Sequence, residues 1–256
     1  MKMTCLLATA AMLAAPFSMA VAKDAALAKA IAAPNRTPEL VERDKARKPQ
    51  EELEFFGIKP AMTVVEIAPG GGYWTEILAP YLKEKGTYYT AMSPRAAESF
   101  KKKLDGNPEV YGSVKMTPMT EVAPAGTADM VLTFRNVHNW MGAGTADQVF
   151  TAFFTALKPG GVLGIEEHRG NQSQPQDPKA ANGYVREDYT IQLAEKAGFK
   201  YVGKSEILAN PKDTKDYPKG VWTLPPSLQL GDVDRAKYVA IGEADNFVLK
   251  FEKPKK

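Results

Sequence analysis

From Thr63 onward the chain alternates short β-branched runs with amphipathic helical segments, and this alternation limits the fold more than any other feature. The predicted strands are 63–67, 87–91, 110–115, 129–134 and 162–166, and the predicted helices between them are 73–82, 94–104 and 145–157. Strands that are joined by crossover helices form a parallel sheet covered on both faces. The sequence therefore predicts an α/β domain.

The C-terminal part of the chain departs from this alternation. Residues 187–197 predict a helix and residues 199–205 predict a strand. A long Pro-containing stretch follows, and residues 246–251 predict a terminal strand. A strand, a long excursion and a final strand indicate an antiparallel hairpin at the edge of the sheet.

A helical lead-in precedes the α/β domain. Thr37-Pro38-Glu39 combines a capping residue, a proline at the first helical position and an acid in the first turn, which predicts a helix to about Arg47. A second helix is predicted at 49–56, and Gly57 ends it. We therefore expect a lead-in over residues 23–60 and one domain over residues 61–256.

Residues 1–22 have the pattern of a secretory signal peptide, with a basic start, an apolar Ala-rich run and small residues at the exit. We expect cleavage after Ala22, which predicts a periplasmic or secreted protein without a stable membrane anchor. The alternative, an uncleaved anchor, is disfavoured by Pro16 and by the short length of the run. Cys5 is the only cysteine and leaves with the signal, so the mature protein has no disulfide or cysteine nucleophile.

The charge of the chain gives no sign of a polyanionic partner. Lys and Arg number 33 against 30 Asp and Glu, for a formal net charge of +3, and acids and bases are interleaved. We therefore expect a small-molecule substrate and no nucleic acid.

The strongest chemical signal is Glu66-Ile-Ala-Pro-Gly-Gly-Gly72, between a predicted strand and a predicted helix. Gly70 and Gly72 allow close approach of a ligand to the backbone, and the free amides of the next helix favour an anionic group. The third glycine of a dinucleotide fingerprint would fall at Thr75, and no phosphate-binding Gly-Lys-Ser/Thr follows. The motif predicts a ligand-binding bend. The alternative is a strand-to-helix turn that binds nothing.

The motif resembles the first strand and glycine loop of the class I S-adenosylmethionine-dependent methyltransferases, with Ala68 at the position of the first glycine. The phrases EIAPGGGYWTEILAPYL, LTFRNVHNW, LKPGGVLGIEEHR and KGVWTLPPS are similar to an exported bacterial family of predicted methyltransferases, over residues 36–253. The resemblance implies a seven-stranded Rossmann-like sheet in the order 3-2-1-4-5-7-6. It further implies an antiparallel seventh strand and helices on both faces.

The resemblance also implies S-adenosylmethionine as the cofactor. The glycine bend would hold its methionine portion, and Glu66 would order the loop or meet the ammonium through water. Met92 stands where these enzymes usually carry the acid that binds the ribose hydroxyls. The predicted cofactor-binding residues are Glu66, Ala68, Pro69, Gly70, Gly71, Gly72, Met92, Arg135 and Asn136.

Arg135-Asn-Val-His-Asn-Trp140 follows the fourth predicted strand, where ligands bind in open α/β sheets. His138 is the candidate catalytic residue, a general base for a substrate proton. Asn136 and Asn139 would orient His138, and Trp140 would form a pocket wall. The alternative is a local structural role for His138.

His168 follows the fifth predicted strand, so both histidines of the chain fall on the predicted ligand edge. A metal held by His138, His168 and a carboxylate is one alternative, and a hydrogen-bonded pocket without metal is the prediction. Tyr184, Arg186 and Trp222 are further candidate substrate contacts. We expect methyl transfer to a small-molecule acceptor. The alternatives are a non-catalytic ligand-binding protein and, if the histidines converge, a metal-dependent hydrolase.

Overall fold

The computed structural model describes residues 24–255, and the predicted signal peptide lies outside the described residues. The strands are β1 (Thr63–Ile67), β2 (Thr87–Met92), β3 (Lys115–Pro118), β4 (Ala128–Phe134), β5 (Leu157–His168), β6 (Lys200–Ser205) and β7 (Asn246–Glu252). The helices are α1 (Ala25–Ile31), α2 (Pro38–Val41), α3 (Asp44–Arg47), α4 (Pro49–Phe56), α5 (Thr75–Leu82), α6 (Pro94–Asp105), α7 (Pro108–Tyr111), α8 (Val137–Ala143), α9 (Ala146–Ala156), α10 (Glu187–Lys196) and α11 (Arg235–Ile241). Within the described range, no helix has the length and apolarity needed to span a bilayer.

The seven strands form one sheet in the order β3-β2-β1-β4-β5-β7-β6. The pairs from β3 to β5 are parallel, and β7 is antiparallel to both β5 and β6. The predicted strand order and the predicted C-terminal hairpin are therefore confirmed. Because β1, β4 and β5 are parallel neighbours, their carboxyl ends meet at the same edge of the sheet.

Two apolar cores cover the two faces of the sheet. In β1, Val64 and Val65 point to opposite faces, and both are fully buried. Val65 belongs to the core that contains Phe150 and Phe153 of α9, whereas Val64 belongs to the core that contains Leu53 of α4. Burial on both sides explains why the central strands carry apolar residues on both faces and do not alternate strictly between apolar and polar residues.

Two predicted elements are placed differently in the structure. The helix predicted from Thr37 to Arg47 is two short helices, α2 and α3, with Arg43 at the break. The strand predicted at 110–115 begins only at Lys115. Asn107 caps α7 by accepting a hydrogen bond from the Val110 amide at 3.3 Å, so a helical turn occupies the start of that segment.

Residues 158–161, which lie between the helix predicted at 145–157 and the strand predicted at 162–166, are part of β5. Gly160 has a φ of 79°, in the left-handed region that glycine tolerates. Its amide donates to the Lys253 carbonyl at 2.7 Å, so the chain stays paired with the end of β7. The strand therefore begins at Leu157, directly after α9.

The lead-in packs directly on the sheet through α4. Phe56 is 1% exposed and lies over β5, where Gly164 faces it. A Cβ built at Gly164 lies 2.7 Å from the Phe56 ring and 2.7 Å from Leu132. The missing side chain at Gly164 thus makes room for the aromatic ring that holds the lead-in against the domain.

We expect Gly164→Ala to lower the free energy of unfolding by about 1–3 kcal/mol, because a methyl group in a filled core displaces its neighbours. Urea denaturation measures the change. Gly203→Ala in β6 is the matched control, because a Cβ there meets nothing within 4 Å. Equal effects of the two substitutions would contradict the proposed packing role of Gly164.

Candidate functional site

A cavity of about 370 Å³ opens at the carboxyl ends of β1, β4 and β5. Small-molecule sites usually have volumes of about 300–1,000 Å³. Four parts of the chain line the cavity. They are the lead-in (Leu40, Arg43, Arg47), the β1 bend (residues 66–71, Tyr73, Trp74), the end of β4 (residues 134–136, His138, Asn139) and the C-terminal region (His168, Val221, Trp222, residues 225–227, Ala244).

The glycine bend presents bare main chain to this cavity. Gly70 has a φ of 57°, and Ala68 is also left-handed, with a φ of 48°. A Cβ built at Gly70 or Gly71 meets nothing within 4 Å, and both glycines line the cavity, so a ligand can approach the main chain at these two positions. Gly72 is different, because it is buried against the Lys103 side chain and does not line the cavity.

Glu66 lies beneath the bend and joins three elements. Its Oε2 accepts a hydrogen bond from the Thr75 hydroxyl at 2.6 Å, and the Tyr88 hydroxyl donates to the same oxygen. Thr75 begins α5, and Tyr88 belongs to β2. Burial raises the pKa of Glu66 to about 7, although both hydrogen bonds act in the opposite direction.

Met92 lies away from the cavity. It is 2% exposed and belongs to the core on the α5 side of the sheet. Ser93, the next residue, is exposed and caps α6. The end of β2 therefore offers a hydroxyl to a ligand and no carboxylate.

Arg135 and Asn136 both line the cavity, and each fixes a different part of it. Arg135 donates from Nη1 to Glu243 at 2.8 Å, and its Nε lies 3.6 Å from Glu166. The amide of Asn136 donates to the Ile67 carbonyl at 3.2 Å and so joins the ends of β1 and β4. Asn136 does not bond to His138, contrary to the orienting role expected for it.

His138 is held by a buried carboxylate. Its Nδ1 lies 3.0 Å from Glu167 Oε1, and its amide donates to Glu167 Oε2 at 3.2 Å. Burial lowers the pKa of His138, but the attraction of Glu167 outweighs burial, so the pKa stands above its ordinary value. The segment after β4 forms the helix α8, whose first turn carries His138 to the cavity wall.

The two histidines converge at the cavity, with ring centroids 5.5 Å apart. His168 pairs through Nδ1 with Asn246 at 2.8 Å, and burial lowers its pKa to about 4. His138, Glu167 and His168 place ligand atoms within 4.8 Å of one another, which is a candidate metal-ligand set. The positive charge of the nearby Arg135 guanidinium acts against protonation of both histidines, although Glu167 keeps the pKa of His138 raised. The same charge disfavours a bound cation, so our prediction of no metal is unchanged.

The aromatic wall of the cavity differs from the expected one. Trp140 packs edge-on against Phe153 at 5.4 Å in the core and does not line the cavity. Trp222 lines it and meets the His138 ring edge-on at 5.9 Å. Tyr184 and Arg186 do not line the cavity. Tyr184 donates to Asp213, and Arg186 pairs with Asp188.

The sequence did not single out the basic residues that the lead-in contributes. Arg43 donates to both carboxylate oxygens of Glu243, at 2.8 and 2.7 Å. Arg47 is 5% exposed, lines the cavity and has its guanidinium carbon 4.5 Å from the centre of the Tyr73 ring. Their spacing of four residues was the available signal, but the same spacing is common on solvent-facing helices.

Solved structures with this architecture come from several enzymes. A SAM-dependent methyltransferase from Aquifex aeolicus has a TM-score of 0.57 at 16% identity, with 83% of this chain and 93% of that chain covered. The strand order and the similarity to this structure establish the fold. It is the class I methyltransferase fold. No protein-family model and no curated protein matches the sequence.

Two further structural neighbours are named for different reactions, a methyl transfer and a cyclisation. Phosphoethanolamine N-methyltransferase 2 of Haemonchus contortus, in complex with S-adenosyl-L-methionine, has a TM-score of 0.53 at 15% identity over 80% of this chain and 51% of that chain. The 4+2 cyclase SpnF has a TM-score of 0.61 at 12% identity over 87% and 86%. At these identities the likeness establishes the fold, and the reaction must be argued from the site.

We expect Glu66 to make folding less favourable as the pH rises. Its pKa is raised from 4.5 to about 7 in the folded protein, so the folded state holds this proton more tightly than the unfolded state does. The stabilisation is complete below about pH 4.5 and is lost as the pH rises through about 7. It amounts to about 3 kcal/mol at most.

Urea denaturation at pH 5.5 and 8.5 measures this dependence. We expect Glu66→Gln to lose less stability between the two pH values than the wild-type protein. Glu166, whose pKa burial also raises to about 7, keeps part of the dependence in the variant. Glu121→Gln, at an exposed site, is the control. A wild-type pH dependence in Glu66→Gln would show that the carboxyl group is not the cause.

Proposed function

We propose that this protein binds S-adenosylmethionine and catalyses transfer of its methyl group to a small-molecule acceptor. The observation that carries the proposal is the open main chain of Gly70 and Gly71 beside a cavity that His138 also lines. The bend follows β1 at the position where this fold binds its ligands. The cyclase among the structural neighbours is a reason to test the reaction directly.

The cavity fits the amino-acid end of the cofactor best. The bend from Ala68 to Gly71 would hold this end, because its main chain is accessible and no Cβ intrudes at the two glycines. Asn136 would border it from the end of β4. At the nucleoside end, only the exposed Ser93 offers a polar side chain at the tip of β2. We therefore expect weaker binding of the ribose than a carboxylate at position 92 would give.

When bound, the cofactor supplies a methyl group on a positively charged sulfur, which a nucleophile attacks in line. The protein's part is to orient the acceptor and to take up its proton. His138 would accept that proton at Nε2, since Nδ1 is engaged with Glu167. The buried carboxylate then stabilises the imidazolium ion. Trp222 would exclude water from the wall above His138.

We further propose that the protein acts in the periplasm or after secretion. This proposal rests on the signal-peptide pattern of residues 1–22. The cofactor is made in the cytoplasm, so a supply outside it is required. The alternative function, a non-catalytic ligand-binding protein with the same fold, requires no such supply.

Calorimetry with S-adenosylmethionine and S-adenosylhomocysteine tests the cofactor proposal. We expect micromolar binding by the wild-type protein and at least a tenfold loss in Gly70→Val. A valine at a φ of 57° is strained, and its side chain enters the space above the bend. Gly126→Val is the matched control, because Gly126 has a φ of 65° and equally open surroundings but lies outside the cavity.

The same experiment separates the two functions. Millimolar or absent binding in the wild-type protein would favour the non-catalytic alternative. If binding is found, His138→Gln should keep the cofactor affinity and lose at least about a hundredfold in turnover of any acceptor that must release a proton. Equal turnover in His138→Gln and the wild-type protein would remove His138 from the catalytic step.

A further inference from the structure

Arg47 is a buried arginine without a carboxylate partner. It ends α3, is 5% exposed and lines the cavity. Among residues 24–255, no Asp or Glu oxygen lies within 4.0 Å of its guanidinium. A buried guanidinium normally has an anionic partner, because removing the charge from water is costly.

The neighbouring arginines show the pairing that Arg47 lacks. Arg36 forms two hydrogen bonds with Asp44, at 2.6 and 2.8 Å. Arg43 and Arg135 share Glu243. All four arginines lie in the same part of the molecule, and three of them have their carboxylate within the chain.

Aromatic rings fix the position of the Arg47 guanidinium. Its central carbon lies 4.5 Å from the centre of the Tyr73 ring and 5.8 Å from that of Trp74. Its Nε is buried and has no hydrogen-bond partner among the described residues. Tyr73 is itself held by a 2.6 Å hydrogen bond to Asp44. The aromatic rings thus hold the guanidinium at the cavity wall. Its two terminal nitrogens remain available to donate hydrogen bonds to a ligand.

The surrounding charges favour an anion in the cavity. Arg43, Arg47 and Arg135 line it, and Glu243 offsets one of these three positive charges. Burial raises the pKa of Glu66 and Glu166 to about 7, so each is only partly ionised at neutral pH. A ligand with a negative group is attracted to this surface, and a guanidinium can bind a carboxylate or phosphate through two parallel hydrogen bonds.

We propose that Arg47 binds an oxyanion of the ligand that occupies this cavity. The proposal rests on the proposed function in one respect, namely that the cavity takes a cofactor and an acceptor. The oxyanion has two sources, the carboxylate of the cofactor's amino-acid tail and an acidic group on the acceptor. In the second case the acceptor is a small organic acid or phosphate ester.

The first experiment uses simple anions and needs no cofactor. Acetate and inorganic phosphate are titrated at constant ionic strength, and tryptophan fluorescence is recorded, because Trp74 adjoins Arg47. We expect saturable binding by the wild-type protein and at least a tenfold loss in Arg47→Gln, since hydrogen bonds between a guanidinium and an anion are stronger than those between neutral groups. Arg47→Lys should lie between them. Arg95→Gln, at an exposed site of α6, is the control.

The second experiment identifies the source of the oxyanion. S-adenosylhomocysteine carries the amino-acid tail, whereas 5′-methylthioadenosine lacks it. If Arg47 binds the cofactor, Arg47→Gln should weaken binding of the first compound at least tenfold and leave the second unchanged. If Arg47 binds the acceptor, neither adenosyl compound is affected, and the loss is confined to acetate and phosphate. Both results support the oxyanion site.

Other results overturn the proposal without affecting the proposed function. If the folded Arg47→Gln protein binds acetate, phosphate and S-adenosylhomocysteine as tightly as the wild-type protein, Arg47 is not an anion-binding residue. The same conclusion holds if the wild-type protein shows no saturable binding of any of these compounds. Conversely, loss of anion binding in Arg47→Gln, with no adenosyl compound bound by the wild-type protein, would retain this site and reject the cofactor. Thermal unfolding, with Arg47→Lys as the milder variant, establishes that each protein is folded.

Discussion

The carboxylate of Glu243 holds the walls of the cavity together. It accepts hydrogen bonds from Arg43 of the lead-in and from Arg135 after β4, and it lies just before β7. Burial raises the pKa of Glu243, but the two guanidinium groups outweigh burial and lower the pKa below its ordinary value. Removing one member of such a buried set leaves an uncompensated charge, which costs more than the pair itself contributes. The lead-in, the sheet edge and the C-terminal region therefore depend on one another.

This arrangement divides the cavity into regions of different chemistry. The β1 bend offers unobstructed main chain, the lead-in offers guanidinium groups, and the ends of β4 and β5 offer His138 with its buried partner Glu167. The polar groups come from strand ends and helix starts, because side chains there can leave the core without breaking the sheet. The backbone of the β1 bend forms the first of these regions. Side chains form the other two.

The sheet was predictable from the sequence because its pattern is local and repeated. The bounds of β1 follow from a five-residue run in which Thr63, Val64, Val65 and Ile67 are β-branched, and both faces of the strand are buried at Val64 and Val65. The strand predicted at 110–115 was wrong because a side-chain cap at Asn107 favoured a helical turn. Here a short-range hydrogen bond outweighed the strand preference of Val110, Tyr111 and Val114.

The site was predictable only in part. Glu66 and the glycine bend belong to the motif that ends β1, and His138 follows β4. The carboxyl ends of these parallel strands meet at one edge of the sheet, so the predicted strand order places all three together. The contribution of Arg43 and Glu243 depends on contacts between residues 200 positions apart, which no local pattern encodes. Trp140 and Trp222 show the same limit, since one tryptophan packs in the core and the other borders the cavity although both follow polar segments. Which aromatic ring faces a ligand is decided by tertiary packing.

The long separation between Arg43 and Glu243 has a consequence for biogenesis. A ribosome completes the lead-in, the glycine bend and six of the seven strands before it reaches residue 243. Until then Arg43 and Arg135 lack the carboxylate to which both donate hydrogen bonds in the folded protein. Because β7 also lies between β5 and β6, the last strand of the chain completes the sheet and the wall of the pocket together.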